Sequence, residues 1–146
     1  MVTSRIAATG AGIPDQIITN DDLAKIMDTS DEWIRQRTGI GERHISGGED
    51  LSYYTSKAAK QIIERAGIAP ADIELIVVAT VTADYCTPSA ACMVQKEIGA
   101  VNAVAFDVTA ACSGFLYGVS VADKFIRCGI YKNALVIGGE ILSKIV

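Results

Sequence analysis

Hydrophobic positions fall into two kinds of stretch along the chain. Short, nearly unbroken apolar runs are each followed by a longer stretch in which apolar residues recur at three- and four-residue spacing. The runs at residues 6–12, 75–81, 104–108 and 134–138 predict buried strands, the second so rich in β-branched residues that both of its faces must be covered. The helical stretches begin at recognisable polar signals. Asn20 precedes Asp21 and Asp22, which predicts a short helix ending near Met27. Thr29 and Glu32 have capping-box spacing and predict a second helix that stops at Gly39. Asp50 opens a helix over residues 51–66, with Ala58, Ile62 and Ile63 inward, and Gly67 closes it. Residues 89–98 predict a fourth helix, ended by Gly99. In the last, Phe115, Leu116, Val119, Ala122, Phe125 and Ile126 share one broad apolar face and Gly129 marks the stop. Residues 43–45 predict a short strand or extended turn. Strands alternating with helices over short links indicate an α/β layered domain with a largely parallel sheet.

Composition narrows the classes. A chain of 146 residues, half of them hydrophobic, can bury one sizeable core. A net charge of −4 argues against a nucleic-acid partner, which would need a basic face. Arg35, Arg37 and Arg43 make the one locally basic stretch. The N-terminus has no signal-peptide core, and the longest charge-free run, residues 108–122, is too short to span a bilayer; no membrane partner and a cytoplasmic location are expected. Cys86, Cys92, Cys112 and Cys128 lack ligand-like pairing, and His44 is the single histidine. Neither a metal site nor a disulfide framework is expected. Gly10-x-Gly12 lacks the third glycine and the following helix of a dinucleotide fingerprint, so it reads as a turn.

Chemistry concentrates at two places. Cys112 falls between a predicted strand and the first turn of a helix, where free N–H groups and the helix dipole favour an anion and hence a thiolate. Ala110, Ala111 and Gly114 leave the sulfur little side-chain crowding. The alternative is a cysteine packed as a small hydrophobe. Trp33 and Arg37, four apart, share a helix face that suits an adenine base and a phosphate, or else form an ordinary amphipathic helix. His44 has no acid or thiol beside it and reads as a hydrogen-bonded surface residue. Glu140 follows the last strand with no partner identifiable from sequence.

Together, Thr29-Ser30-Asp31-Glu32-Trp33-Ile34, Arg37-Thr38-Gly39-Ile40, Glu42-Arg43, Pro88-Ser89-Ala90-Ala91-Cys92 and the run from Asp107 through Cys112 to Phe115 resemble beta-ketoacyl-acyl-carrier-protein synthase III. This is the initiating condensing enzyme of type II fatty acid synthesis. The resemblance implies a thiolase-like fold, in which two similar α/β halves build a five-layer α-β-α-β-α core. Residues 1–146 resemble the N-terminal half, with a mostly parallel mixed sheet packed between helices. The family's catalytic histidine and asparagine belong to a second half outside this chain, so the chain is expected to be a fragment or one subunit, inactive alone. By match, Cys112 is the acyl-accepting nucleophile on a buried central helix. Trp33 stacks on the adenine of coenzyme A, Thr29 hydrogen-bonds near that base, Arg37 contacts the nucleotide phosphates, and Thr87 lines the acyl pocket across a homodimer. Thr87 is smaller than the aromatic of some relatives, which implies room for a longer or branched primer. The implied partners are acyl-coenzyme A, as substrate and without a further cofactor, malonyl-acyl-carrier-protein and the C-terminal half. The acidic half would leave carrier docking mostly to the other half. Related condensing enzymes of polyketide or alkylquinolone type, or a non-catalytic association module, are the alternatives.

Overall fold

The computed structural model describes residues 3–145. They divide into two compact units, one made of residues 3–12 and 50–142 and the other of residues 13–49 and 143–145.

The larger unit is built on a parallel three-stranded sheet in the order β4 (Val104–Val108), β3 (Leu75–Ala79), β5 (Leu135–Gly138). Every residue of β3 is buried, as its unbroken apolar run requires of a central strand covered on both faces. Alternate side chains feed two cores. Ile76 and Val78 pack with Leu135 and Ile137 against α3 (Leu51–Ala66) and α4 (Ala90–Ile98), through Leu51, Tyr54, Ala91 and Val94. Leu75 and Val77 face α5 (Gly114–Arg127) through Ala122 and the half-buried Phe125. Each fully buried Val or Leu contributes about 1.5–3 kcal/mol.

Three expectations need correction here. β4 is not a buried strand: it is an edge with β3 as its neighbour, Val104 exposed and the other four residues half-buried. Residues 6–12 form no strand. They lie instead along α3, where Arg65 donates to the Thr9 carbonyl and the Ala11 N–H donates to Gln61. A Cβ on Gly12 would come within 1.9 Å of the Tyr54 carbonyl oxygen, so the two glycines serve close approach to a helix rather than a turn. Third, the predicted apolar face of α5 is split: Ala122 and Phe125 meet the sheet, whereas the large residues of its first two turns are mostly exposed. Gly114, Gly118 and Ala122, spaced four apart, are the buried ones, while Phe115, Leu116, Tyr117 and Val119 are exposed. A Cβ on Gly118 would already press on Val136 and Val77, which explains why the contacting face is made of small residues.

The smaller unit pairs β1 (Gln16–Thr19) with β2 (Glu42–Ile45) in an antiparallel ladder. The apolar pattern predicts only the second of these. α1 (Asn20–Ala24) starts one residue earlier than Asn20 implies: Thr19 is the cap, forming a capping box with Asp22. Lys25 and Thr19 together hold the Asp22 carboxyl below the ordinary range. α2 (Asp31–Thr38) ends at Gly39 with φ of 73°. Among the described residues no helix is long and apolar enough to cross a membrane.

Candidate active site

Cys112 sits on a short 3-10 turn, Ala111–Ser113, between the end of β4 and the start of α5. Its side chain is exposed. Ala111, just before it, has φ of 45°, a left-handed conformation that costs a residue with a Cβ about 1 kcal/mol. Strain of this kind is kept where it aims a neighbouring side chain. The helix behind the thiol is seated tightly: a Cβ on Gly114 would lie 3.2 Å from the Cβ of Ala79. Phe115 packs on Gly138. The first turn of α5 therefore rests on the ends of β3 and β5, with no room for a larger residue at its first position. Ser113, at the cap position, makes no side-chain capping bond.

The other two long helices of this unit start differently. Ser89 accepts from the Cys92 N–H, and Asp107 on β4 accepts from the Ala90 and Ala91 N–H groups at 2.8 Å each. Asp50 occupies the cap position of α3 but provides no cap bond. The Asp84 carboxylate, from the β3–α4 loop, takes the Leu51 and Ser52 N–H groups at 2.7 and 2.8 Å. Sequence spacing gives no signal for Asp84 or Asp107, because each acts on a helix distant along the chain. Thr87 lies exposed in that same loop. Glu140 finds its partners there too, in Thr80, Val81 and Thr82.

In the smaller unit, α2 carries Trp33 and Arg37 on one face. The indole is 53% exposed, and the Arg37 guanidinium carbon stands 4.6 Å from its ring centroid, a cation–π stack at the surface. The predicted capping box is not formed. Ser30, not Thr29, caps the helix by accepting from the Trp33 N–H. Thr29 is displaced by one residue, and its Oγ1 is out of solvent with no hydrogen-bond partner among the described residues. A buried hydroxyl of this kind can accept a bond from, or donate one to, a bound molecule.

The helix is fixed from behind by the buried Asn20, which the sequence reading takes only as a helix start. Its amide donates to Asp31 and to the Ile40 carbonyl, both at 2.8 Å, and its oxygen accepts from Arg43. Arg35 adds a two-oxygen contact to Asp31 at 2.8 Å. Asn20 first, and Arg35 second, hold the Asp31 carboxyl below its ordinary value. His44 donates from Nδ1 to the Pro14 carbonyl at 2.6 Å, in keeping with the hydrogen-bonded role expected of it. Among the described residues no group of three or more His, Cys, Asp or Glu side chains is arranged to hold a metal ion.

Comparison with known proteins bears on this arrangement. The family model of 3-oxoacyl-acyl-carrier-protein synthase III matches residues 106–146, which include the Cys112 turn and α5. Beta-ketoacyl-acyl-carrier-protein synthase III of Streptococcus mutans is 53% identical over 146 residues, covering 100% of this chain and 45% of its own. Over its whole length the chain is similar to synthase III sequences. The crystal structure of 3-oxoacyl-acyl-carrier-protein synthase III from Aquifex aeolicus superposes with a TM-score of 0.94 at 46% identity, over 99% of this chain and 46% of that one. The fold is accordingly the α/β, thiolase-like fold of synthase III, with a mostly parallel sheet between helices. The priming beta-ketosynthase of the R1128 polyketide pathway is also similar, at 35% identity and a TM-score of 0.84 over 88% of this chain and 39% of that one. The chain spans about half the length of the synthase III relatives it matches.

Proposed function

We propose that this chain is the nucleophile-bearing N-terminal half of a condensing acyltransferase that starts fatty acid elongation. The Cys112 thiolate attacks the carbonyl of acyl-coenzyme A. A carbon–sulfur bond forms, the tetrahedral oxyanion is held by backbone N–H groups, one of them that of Cys112, and coenzyme A leaves as the thiol. Malonyl-acyl-carrier-protein then loses carbon dioxide, its α-carbon attacks the acyl-Cys112 carbonyl, and the cysteine sulfur departs. The thioester supplies the driving force, so no cofactor enters. The base for the first step and the groups that stabilise the enolate lie in a second half. His44 is committed to Pro14 and is not assigned either role.

The observation that carries this reading is the exposed thiol at an uncapped helix start, behind a left-handed alanine. The nucleotide end of acyl-coenzyme A is assigned to α2. Trp33 offers its ring to adenine, Arg37 its guanidinium to phosphate, and Thr29 its unpartnered hydroxyl to the base. Thr87, on the loop after β3, is assigned to the acyl pocket of a homodimer. The exposed row Phe115, Leu116 and Val119 on α5 is assigned to the contact with the second half. The similarity to the polyketide priming enzyme supports a second reading, in which the same acyl transfer feeds a different acceptor.

The test is exposure of the complete synthase to radiolabelled acetyl-coenzyme A. Label should appear as a hydroxylamine-sensitive thioester on Cys112 and vanish in Cys112→Ala. Retention of label in that variant overturns the nucleophile assignment. A Cys112 inert to iodoacetamide near neutral pH would return the chain to a non-catalytic association module.

A further inference from the structure

The turn bearing Cys112 rests on two strand ends, and those ends are laced together by one carboxylate. Glu140 lies two residues past β5. Its Oε1 accepts from the Val81 N–H at 2.9 Å, and its Oε2 accepts from the hydroxyls of Thr82 at 2.6 Å and Thr80 at 3.2 Å. The lacing is closed from the other side. The Thr82 Oγ1 accepts from the Ile141 N–H at 3.0 Å, and the Gly139 N–H donates to the Ala79 carbonyl at 3.1 Å. Thr80 is buried, and its N–H donates to the Val108 carbonyl at 3.2 Å, which brings in the end of β4. All three strands are thus tied just beyond their last ladder pairs.

Gly114 and Phe115 sit on this seam. Gly114 lies against Ala79, one residue before Thr80, and Phe115 lies against Gly138, two residues before Glu140. Both are close contacts. The first is helix backbone on strand, and the second is a ring against a glycine. A shift between the ends of β3 and β5 would therefore carry the first turn of α5 with it, together with the thiol two residues earlier.

We propose that Glu140 is a positioning residue for the acyl transfer. By fixing the ends of β3 and β5 against each other, it sets the direction from which the Cys112 sulfur meets an acyl carbonyl. The inference rests on the acyl-transfer reading above and adds to it a residue that touches neither substrate nor sulfur. Three hydrogen bonds to a single carboxylate on a sheet rim also describe an ordinary loop tie, so the readout must separate aim from integrity. Transfer from acyl-coenzyme A needs an aligned approach, whereas alkylation by iodoacetamide needs only an accessible thiolate.

The experiment measures single-turnover acylation of Cys112 by acetyl-coenzyme A in the complete synthase, beside peptide-resolved iodoacetamide labelling of all four cysteines. In Glu140→Ala the maximal acylation rate should fall by about tenfold to a hundredfold, on the scale that a misplacement of roughly 1 Å produces. The half-saturating donor concentration and the alkylation of Cys112 should stay within about threefold. The half-buried Cys92 should stay as protected as in the parent protein. Glu140→Gln keeps an oxygen for the Val81 N–H and should restore most of the rate. Thr82→Val, which removes the hydroxyl shared with Ile141, should reproduce part of the loss and serves if Glu140→Ala does not fold. Acylation unchanged in the folded variants overturns the proposal. So does a loss matched by equal loss of alkylation or by exposure of Cys92, which is the signature of simple unfolding. A Glu140→Gln variant as slow as Glu140→Ala overturns it too, since charge and not position would then be at work. A parent protein that takes no acetyl group on Cys112 sinks the acyl-transfer reading itself, an outcome visible before any variant is made.

Discussion

The starts of α4 and α5 follow neighbouring strands of one parallel sheet, yet they are finished in opposite ways. At α4 the free N–H groups are closed by the chain itself, through Ser89 and through both oxygens of Asp107. At α5 no side chain caps the helix, a strained alanine leads into it, and the residue offered to solvent is a thiol. An α-helix start in water or protein wants an anion, and folding supplies one wherever stability is the only demand. At α5 the 3-10 turn takes the place of a side-chain cap: the Ser113 and Gly114 N–H groups donate to the carbonyls of Ala110 and Ala111, and no carboxylate is placed there. The ends of strands in a parallel sheet are where such sites collect, because loops there are free to vary without disturbing the ladder.

Closing the open start is the strongest way to break this contrast. Cys112→Asp should abolish acyl transfer altogether while raising stability by about 0.5 kcal/mol through the helix dipole. Intact mass after acetyl-coenzyme A treatment and urea unfolding check the two halves of that statement. A variant that is both inactive and much less stable would mean that the turn, and not the thiol, was lost. Opening the closed start is the converse. Asp107→Ala removes two charge-assisted bonds and should cost about 2 kcal/mol in urea unfolding, with iodoacetamide labelling of Cys112 unchanged. If labelling of Cys112 fell as well, the two starts would not be independent.

The third helix start belongs to α2, where Ser30 caps and Trp33 and Arg37, proposed above to hold the nucleotide, lie further along the face. Trp33→Ala should raise the half-saturating acyl-coenzyme A concentration about tenfold, the worth of one stacked base, and leave the second half-reaction nearly intact. An unchanged value would return Trp33 to packing. The smallest effect concerns the Asn20–Asp31 bond that holds this helix. The Asp31 carboxyl is lowered in the folded chain, so its contribution is present above the unfolded-state value of about 3.9 and is lost as pH falls through the folded value. The chain has one tryptophan, so its fluorescence reports on α2 during an acid titration. Asp31→Asn should make the signal less steep below pH about 4; identical curves would show that Asp31 does not govern the helix.

Residue order alone was enough for the elements with strong local signals. The 16 residues of α3 run from Leu51 to Ala66 as the apolar spacing and Gly67 predict, and α4 begins after Ser89 and stops at Gly99. The position of Cys112 was legible for the same reason, because a small-residue turn between an apolar run and a helical pattern is written within a dozen residues. Local signals misplaced what depends on neighbours. Residues 6–12 have the composition of a strand but find no ladder partner, and lie along a helix instead. Leu116 and Val119 read as part of an inward face, yet they are exposed and the close contact with the sheet there belongs to Gly118, since only a small residue lets α5 approach Val77 and Val136 so closely. Thr29 and Ser30 are both competent caps, and one hydrogen bond to the Trp33 N–H decided between them.

What the sequence determined by itself is the succession of strands and helices, the central place of β3, and the thiol at a helix start, because each is encoded in period, cap and glycine within one element. Which carboxylate closes which helix, and how Glu140 ties strands that are separated by about sixty residues, only the tertiary structure decided. A hydrogen bond between distant segments has no period to betray it; it exists because packing has already brought its two ends together.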